Sequence, residues 1–131
     1  MSLIPEDLKY TKTHEWVRVE GNEAIVGITD FAQGELSDVV YVELDCLGKS
    51  LKQGDTLATV EAVKAVSDVY SPVSGEVVAV NKELLQSAPE TVNKDPYGKG
   101  WMARILMSSP QELDGLLGPK DYEQLAASSK H

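Results

Sequence analysis

Cysteine and histidine are nearly absent, with one Cys and two His in 131 residues. One thiol and two imidazoles cannot supply an ordinary Cys/His zinc site, and a single Cys cannot build a disulfide framework. Positive charge is scarce too: 12 Lys and Arg stand against 21 Asp and Glu, for a formal net charge of −9 and a pI near 4.6. That balance argues against a nucleic-acid binder, which needs a basic patch to displace counterions. Long apolar runs are missing, so no segment reads as a bilayer-spanning helix. Catalytic motifs are missing as well: there is no GxSxG elbow, no Gly-rich phosphate loop and no HExxH helix. His14 and His131 are the only imidazoles. A Cys46–His14 nucleophile pair is formally possible, but Cys46 follows an apolar strand and reads as a small buried hydrophobe. Carboxylate pairs such as Glu43/Asp45 and Glu20/Glu23 are what an acidic surface gives by chance.

What remains is an ordinary globular composition, 42% hydrophobic and 25% charged. It predicts a single domain over residues 1–131 with one core and no need of staples. The opening Met1-Ser2-Leu3-Ile4-Pro5-Glu6-Asp7 has neither the layout of a signal peptide nor the Arg-rich character of a transit peptide, so a cytoplasmic protein is expected.

Strand signals dominate. Trp16–Glu20 and Ala24–Ile28 flank Gly21-Asn22 and predict a hairpin. Thr29-Asp30 offers an N-cap to a short helix with Phe31, Ala32 and Leu36. Val39–Leu44 reads as a strand with Val40, Val42 and Leu44 on one face and Val39, Tyr41 and Glu43 on the other. Asn81–Lys94 is looser, and Asp95-Pro96-Tyr97-Gly98 is a turn. Trp101–Met107 is the final strand. Ser109-Pro110-Gln111-Glu112 predicts a helix start, with Leu113, Leu116 and Leu117 on one face and a stop at Gly118-Pro119. A last helix is expected over Asp121–Ala127, fraying at Ser128-Ser129-Lys130-His131.

A weak internal repeat lies in the middle of the chain. Gln53-Gly54-Asp55 and Ser74-Gly75-Glu76 each precede an apolar strand, Thr56–Val60 and Val77–Val80. Lys64 falls near their midpoint, at the expected tip of a tight hairpin. A lysine there is either an ordinary solvated side chain or an amine displayed for attachment of a carrier group. Its neighbours Ala62, Val63 and Ala65 carry no charge to pair with it, and no nearby Gly or Asn loosens the loop. Periodicity leaves both readings open.

The segment Val60-Glu61-Ala62-Val63-Lys64-Ala65-Val66-Ser67-Asp68-Val69-Tyr70-Ser71-Pro72-Val73-Ser74-Gly75 resembles the lipoyl-attachment signature of the glycine cleavage system H protein family. His14-Glu15-Trp16, Gly27–Gln33, Asp38–Leu44 and Asn93–Trp101 resemble further motifs of that family in the same order, as does the closing Leu113–Leu125. The resemblance implies a mainly β fold, a flattened lipoyl/biotinyl-type β-barrel (a barrel-sandwich hybrid), with a short internal helix and C-terminal helices at about 109–127. It places the lipoyl-bearing hairpin at about 57–71, with (R)-lipoate on Lys64 as an amide. The implied protein is a non-catalytic, monomeric shuttle. A PLP-dependent glycine decarboxylase (P-protein) loads an aminomethyl group, and an aminomethyltransferase (T-protein) passes the carbon to tetrahydrofolate. A dihydrolipoyl dehydrogenase (L-protein) then reoxidises the dithiol.

The resemblance also implies roles around the hairpin. Glu61 and Asp68 are recognition points for a lipoate ligase or lipoyl/octanoyl transferase, or else solvated strand-end charges. Glu15, by itself an ordinary surface acid, would lie beside the cleft of the loaded arm and hold its cationic amine. His14 and Trp16 are expected to be structural, and Trp101 to be core. Two departures stand out. Ala62 replaces a frequent Ser, and Glu35 stands where some members place a His beside the arm, so no histidine contact is carried over. A 2-oxoacid dehydrogenase lipoyl domain would show Asp at Val63, and a biotin carrier would show Met beside the lysine. Alternatives that stay open are a lipoate-relay protein and an acidic interaction module whose Lys64 is never modified.

Overall fold

The computed structural model describes residues 3–129, so Met1, Ser2, Lys130 and His131 lie outside the described residues. The chain runs β1 (Lys9–Tyr10), β2 (Glu15–Glu20), β3 (Glu23–Ile28), α1 (Asp30–Leu36), β4 (Val39–Glu43), β5 (Ser50–Leu51), β6 (Thr56–Ala62) and β7 (Val66–Tyr70). It continues through β8 (Gly75–Val80), α2 (Lys82–Ser87), α3 (Thr91–Lys94), β9 (Ala103–Met107), a 3-10 helix (Pro110–Gly115) and α4 (Pro119–Ser129). All strand pairs are antiparallel. They form a six-stranded sheet, β1-β2-β3-β9-β8-β5, and a three-stranded sheet, β4-β6-β7. Among the described residues no helix is long and apolar enough to cross a membrane.

The apolar side chains sort into two clusters. The first gathers Val17, Val26, Val42, Leu57, Val60, Val77 and Ile105 from both sheets, with Cys46 buried among them. The second gathers Tyr10, Trp16, Ile25, Phe31, Tyr97, Tyr122 and Ala126. Alternation along β2 explains the split, because Trp16 and Val17 point to opposite faces. Tyr122 of α4 stacks on Tyr10, with centroids 4.7 Å apart and planes inclined by 12°. Such a pair contributes about 0.5–1.5 kcal/mol beyond its buried area. Trp16 donates its indole N–H to the Pro96 carbonyl at 2.9 Å and carries the Arg18 guanidinium 5.1 Å above its ring. Trp16 is therefore the structural residue expected, and Trp101 packs, half-buried, against the same cluster.

Several expectations need correction. β4 does not alternate: Val39 is buried and Val40 is 53% exposed, because a bulge between Val39 and Tyr41 shifts its register on β6. The two repeat strands do not pair across Lys64. β6 pairs with β7, whereas β8 lies in the other sheet between β9 and β5. The region 81–94 holds α2 and α3, which bury Leu85 and Val92. The segment opened by Ser109-Pro110 is a 3-10 helix without a side-chain cap on Ser109, and Leu116 beyond it is extended. Leu117 instead pairs with Tyr10 through two backbone hydrogen bonds of 2.8 Å. Glu112 serves a remote turn, accepting from the Ser74 N–H at 2.7 Å and the Ser74 hydroxyl at 2.8 Å.

Candidate functional site

The site is assembled from the β6–β7 hairpin and the ends of β2 and α1. Glu61 pairs with Val66 in the ladder, and the Ala62 N–H donates to the Ala65 carbonyl at 2.7 Å, which closes the turn. The Val63 N–H donates to the Asp38 carbonyl at 3.1 Å, so the tip is also braced from the side of β4. Val63, Lys64, Ala65 and Val66 are all exposed. Lys64 makes no ion pair among the described residues. A fixed backbone thus carries a free, solvated ammonium.

The outer face of the three-stranded sheet runs back from this tip. In register across the strands stand Tyr41, Glu61 and Val66, then Glu43, Thr59 and Asp68. Thr59 donates its hydroxyl to Asp68 at 3.2 Å. Neither Glu43, Glu61 nor Asp68 has a basic partner among the described residues. This face is acidic with exposed apolar side chains between the charges. Glu20 and Glu23, by contrast, both pair with Arg104, at 3.2 and 3.0 Å.

Behind β7 opens a cleft of about 350 Å³. Ser67, Asp68 and Val69 form one wall. Thr13, His14, Glu15 and Ile28 form a second, and Phe31, Ala32, Glu35 and Leu36 of α1 a third. Glu61 is not among its lining residues. Counting three to four residues of strand from Lys64 to Ser67 and Asp68, at about 3.3 Å each, the cleft lies on the order of 10–13 Å away.

Glu15 is 1% exposed, so the ordinary surface acid of the sequence reading is a buried carboxylate. It shares a face of β2 with Val17, which burial of the strand's first half carries inward. Its Oε1 accepts from the Thr11 hydroxyl at 2.5 Å and also from the Thr13 hydroxyl. Among the described residues its Oε2 accepts only the Tyr70 N–H, at 3.2 Å. Thr11 is oriented for this task, since its Oγ1 accepts the Glu15 N–H at 3.0 Å and its proton is left for the carboxylate. Burial raises the Glu15 carboxyl above its ordinary range, and these hydrogen bonds oppose the rise. The folded chain therefore holds that proton more tightly than the unfolded one. The contribution of Glu15 to stability falls as pH rises through that interval and then levels off.

His14, expected from the sequence to be structural, lies among the residues that line the cleft. It stands at φ 72° and packs 4.8 Å from the Phe31 ring. Burial lowers its basicity, and Glu35 partly opposes this. Its Nδ1 lies 2.8 Å from the Tyr122 hydroxyl. Nothing in the sequence signals this contact, because the partner is 108 residues away. Among the described residues no His/Cys/Asp/Glu group is gathered to hold a metal.

The family model described as "Glycine cleavage H-protein" matches residues 8–129. The chain is 55% identical over 125 residues to the glycine cleavage system H protein of Carboxydothermus hydrogenoformans, covering 95% of each. It is 57% identical over 122 residues to that of Rubrobacter xylanophilus, covering 93% of this chain and 94% of the other. With that of Xylella fastidiosa (strain M12) it is 54% identical over 132 aligned positions, covering 100% of both. Among solved structures, it is similar to the crystal structure of a glycine cleavage system H protein from Mycobacterium marinum, with a TM-score of 0.85 and 34% identity over 95% of this chain and 99% of the other.

Proposed function

The chain belongs to the glycine cleavage H-protein family, the lipoyl carriers of the glycine cleavage system, and from that premise we propose that Lys64 takes the lipoyl group and that the cleft behind β7 shelters the arm. The observation that carries this reading is the continuity of hairpin and cleft. The strand leading away from Lys64 contributes Ser67, Asp68 and Val69 to the cleft wall. A lysyl side chain with an eight-carbon acyl chain, about a dozen bonds of about 1.5 Å, spans the distance. The lining suits it, with Ile28, Phe31, Leu36 and Val69 for an apolar chain and the Glu15 carboxylate among the polar residues. A cavity of this size lies within the common range for small-molecule sites.

When bound, the lipoyl group would supply a dithiolane disulfide whose S–S bond is reduced as one sulfur takes the aminomethyl group of glycine and the other becomes a thiol, and whose dithiol is left once that group has been passed on. The residues of this chain bind and orient. Amide formation removes the Lys64 charge. Glu15 offers Oε2, the less occupied oxygen, to a cationic amine. Thr11 and Thr13 favour the ionised form of Glu15 against the burial that opposes it, and fix its rotamer. Attachment to the carrier makes each handover effectively intramolecular once a partner has docked. The partners this reading calls for are a PLP-dependent glycine decarboxylase, a tetrahydrofolate-dependent aminomethyltransferase, a dihydrolipoyl dehydrogenase and a lipoate ligase or transferase. Glu61, on the outer face beside the tip, is placed to be read by the last of these. Peptide mapping of chain isolated from its native host tests the assignment. The lipoyl mass is expected on Lys64 alone, and the same increment on another lysine would overturn it.

Glu15→Gln removes the charge and keeps the shape. The loaded arm is then expected to lose its one-carbon unit about ten-fold faster when no aminomethyltransferase is present, the equivalent of about 1.4 kcal/mol. Formaldehyde release per lipoylated chain measures this, and an unchanged rate would leave Glu15 without a role in retention. Docking through the acidic outer face carries a separate expectation. Raising salt above physiological ionic strength should raise the decarboxylase's apparent KM for the carrier, because screened rim charges lower the rate of encounter. A KM insensitive to salt would assign docking to Tyr41, Val63 and Val66 instead.

A further inference from the structure

One side chain touches two walls of the cleft from outside it. The Tyr122 hydroxyl lies 2.8 Å from His14 Nδ1 and 2.7 Å from Thr29 Oγ1. Thr29 is the N-cap of α1, and its Oγ1 accepts the Ala32 N–H at 3.2 Å. α1 in turn brings Phe31, Ala32, Glu35 and Leu36 to the cleft. We propose that Tyr122 of α4 is a positioning residue for the arm's cleft, its hydroxyl fastening His14 on one wall and, through Thr29, α1 on another. This rests on the reading that the cleft receives the arm.

The proton inventory is consistent along the chain of contacts. Thr29 accepts from the backbone, so its own proton is free for the Tyr122 oxygen. The Tyr122 proton is then left for His14 Nδ1, and burial keeps that phenol protonated. The imidazole is neutral, with its Nε2–H on the side away from α4. Charged groups around the ring come from three elements. Glu35 lies on α1, Asp68 on β7 and the buried Glu15 next in sequence on β2. Of these, Glu35 is the one that favours a protonated ring, so an imidazole released from the hydroxyl would be freer to take a proton and compete with a cationic cargo for that carboxylate. The hydroxyl thus does more than fill space. The stack on Tyr10 needs only the ring, whereas the bonds to His14 and Thr29 need the oxygen.

Tyr122→Phe separates the two, because it keeps the ring and removes the oxygen. In the lipoylated, loaded protein it should speed formaldehyde release about three- to ten-fold. In the unloaded protein, NMR titration should show the His14 midpoint rising, because the hydroxyl's bond to the neutral ring is gone. A purely structural tyrosine would move neither. If Tyr122→Phe leaves both unchanged while Glu15→Gln speeds release, the proposal fails and the reading of the cleft stands. If neither variant alters release, that reading fails and takes the proposal with it. If Tyr122→Phe does not fold, Thr29→Val cuts the same link from the other side, and unchanged release from it would equally overturn the proposal.

Discussion

Lys64→Arg is expected to gain no lipoyl mass from a lipoate ligase and to support no glycine cleavage in place of the parent chain. Arginine keeps the charge and roughly the length of the side chain. Its guanidinium does not deprotonate at any working pH, so it offers no nucleophilic amine to an activated acyl group. The fold should not notice. Lys64 is exposed, has no ion pair and sits on a turn held by backbone hydrogen bonds. Its replacement should change stability by no more than about 0.5 kcal/mol. Intact mass and thermal melting check the two halves. Lipoyl mass retained by the variant would move the attachment to a lysine elsewhere, such as Lys82, whose amine is held by Asp45 at 3.2 Å.

The second large effect falls on the fold. Gly75 stands at φ +156°, between β5 and β9 in the six-stranded sheet, and a Cβ there would lie 2.1 Å from the Leu106 carbonyl oxygen. The next atoms, Leu106 carbonyl carbon at 2.8 Å and Ile105 Cγ2 at 2.9 Å, leave no side to escape to. Backbone on a paired strand cannot yield as a surface side chain does. Gly75→Ala should cost about 3 kcal/mol or more. That is a large fraction of a usual folding free energy, about 5–15 kcal/mol. It should lower Tm by about 10 °C or more. Gly54→Ala is the contrast. With φ +95° and no atom within 4 Å, it meets only the backbone term, about 1–2 kcal/mol. A Gly75→Ala chain melting within a degree or two of the parent would show that β8 can slide from β9 without loss.

Local features were legible wherever the physics is local. The first hairpin about Gly21-Asn22, the Thr29 cap, the turn at Asp95–Gly98 and the exposed tip at Lys64 depend on residues a few positions apart, and they stand where the sequence puts them. The bulge in β4 was not legible, because it answers to the register of β6 and leaves no mark on its own five residues. Nor were α2 and α3, short helices interrupted by Pro89 that persist because Leu85 and Val92 reach the first cluster. The proposal of Lys64 as the attachment lysine came from motif resemblance and from a tip free of charges. The burial of Glu15 was partly readable, since alternation sets it in phase with Val17. Its hydroxyl partners Thr11 and Thr13 could have been suspected from their proximity. The His14–Tyr122 bond could not.

The pairing of Tyr10 with Leu117 and of His14 with Tyr122 closes the earliest strands upon the last helix. Translation proceeds in one direction, at about 5–20 residues per second. The β4-β6-β7 sheet is complete once residue 70 has emerged, while the hydroxyl that reaches His14 arrives only with residue 122. A nascent chain thus presents the Lys64 hairpin seconds before the last helix closes upon the first strands.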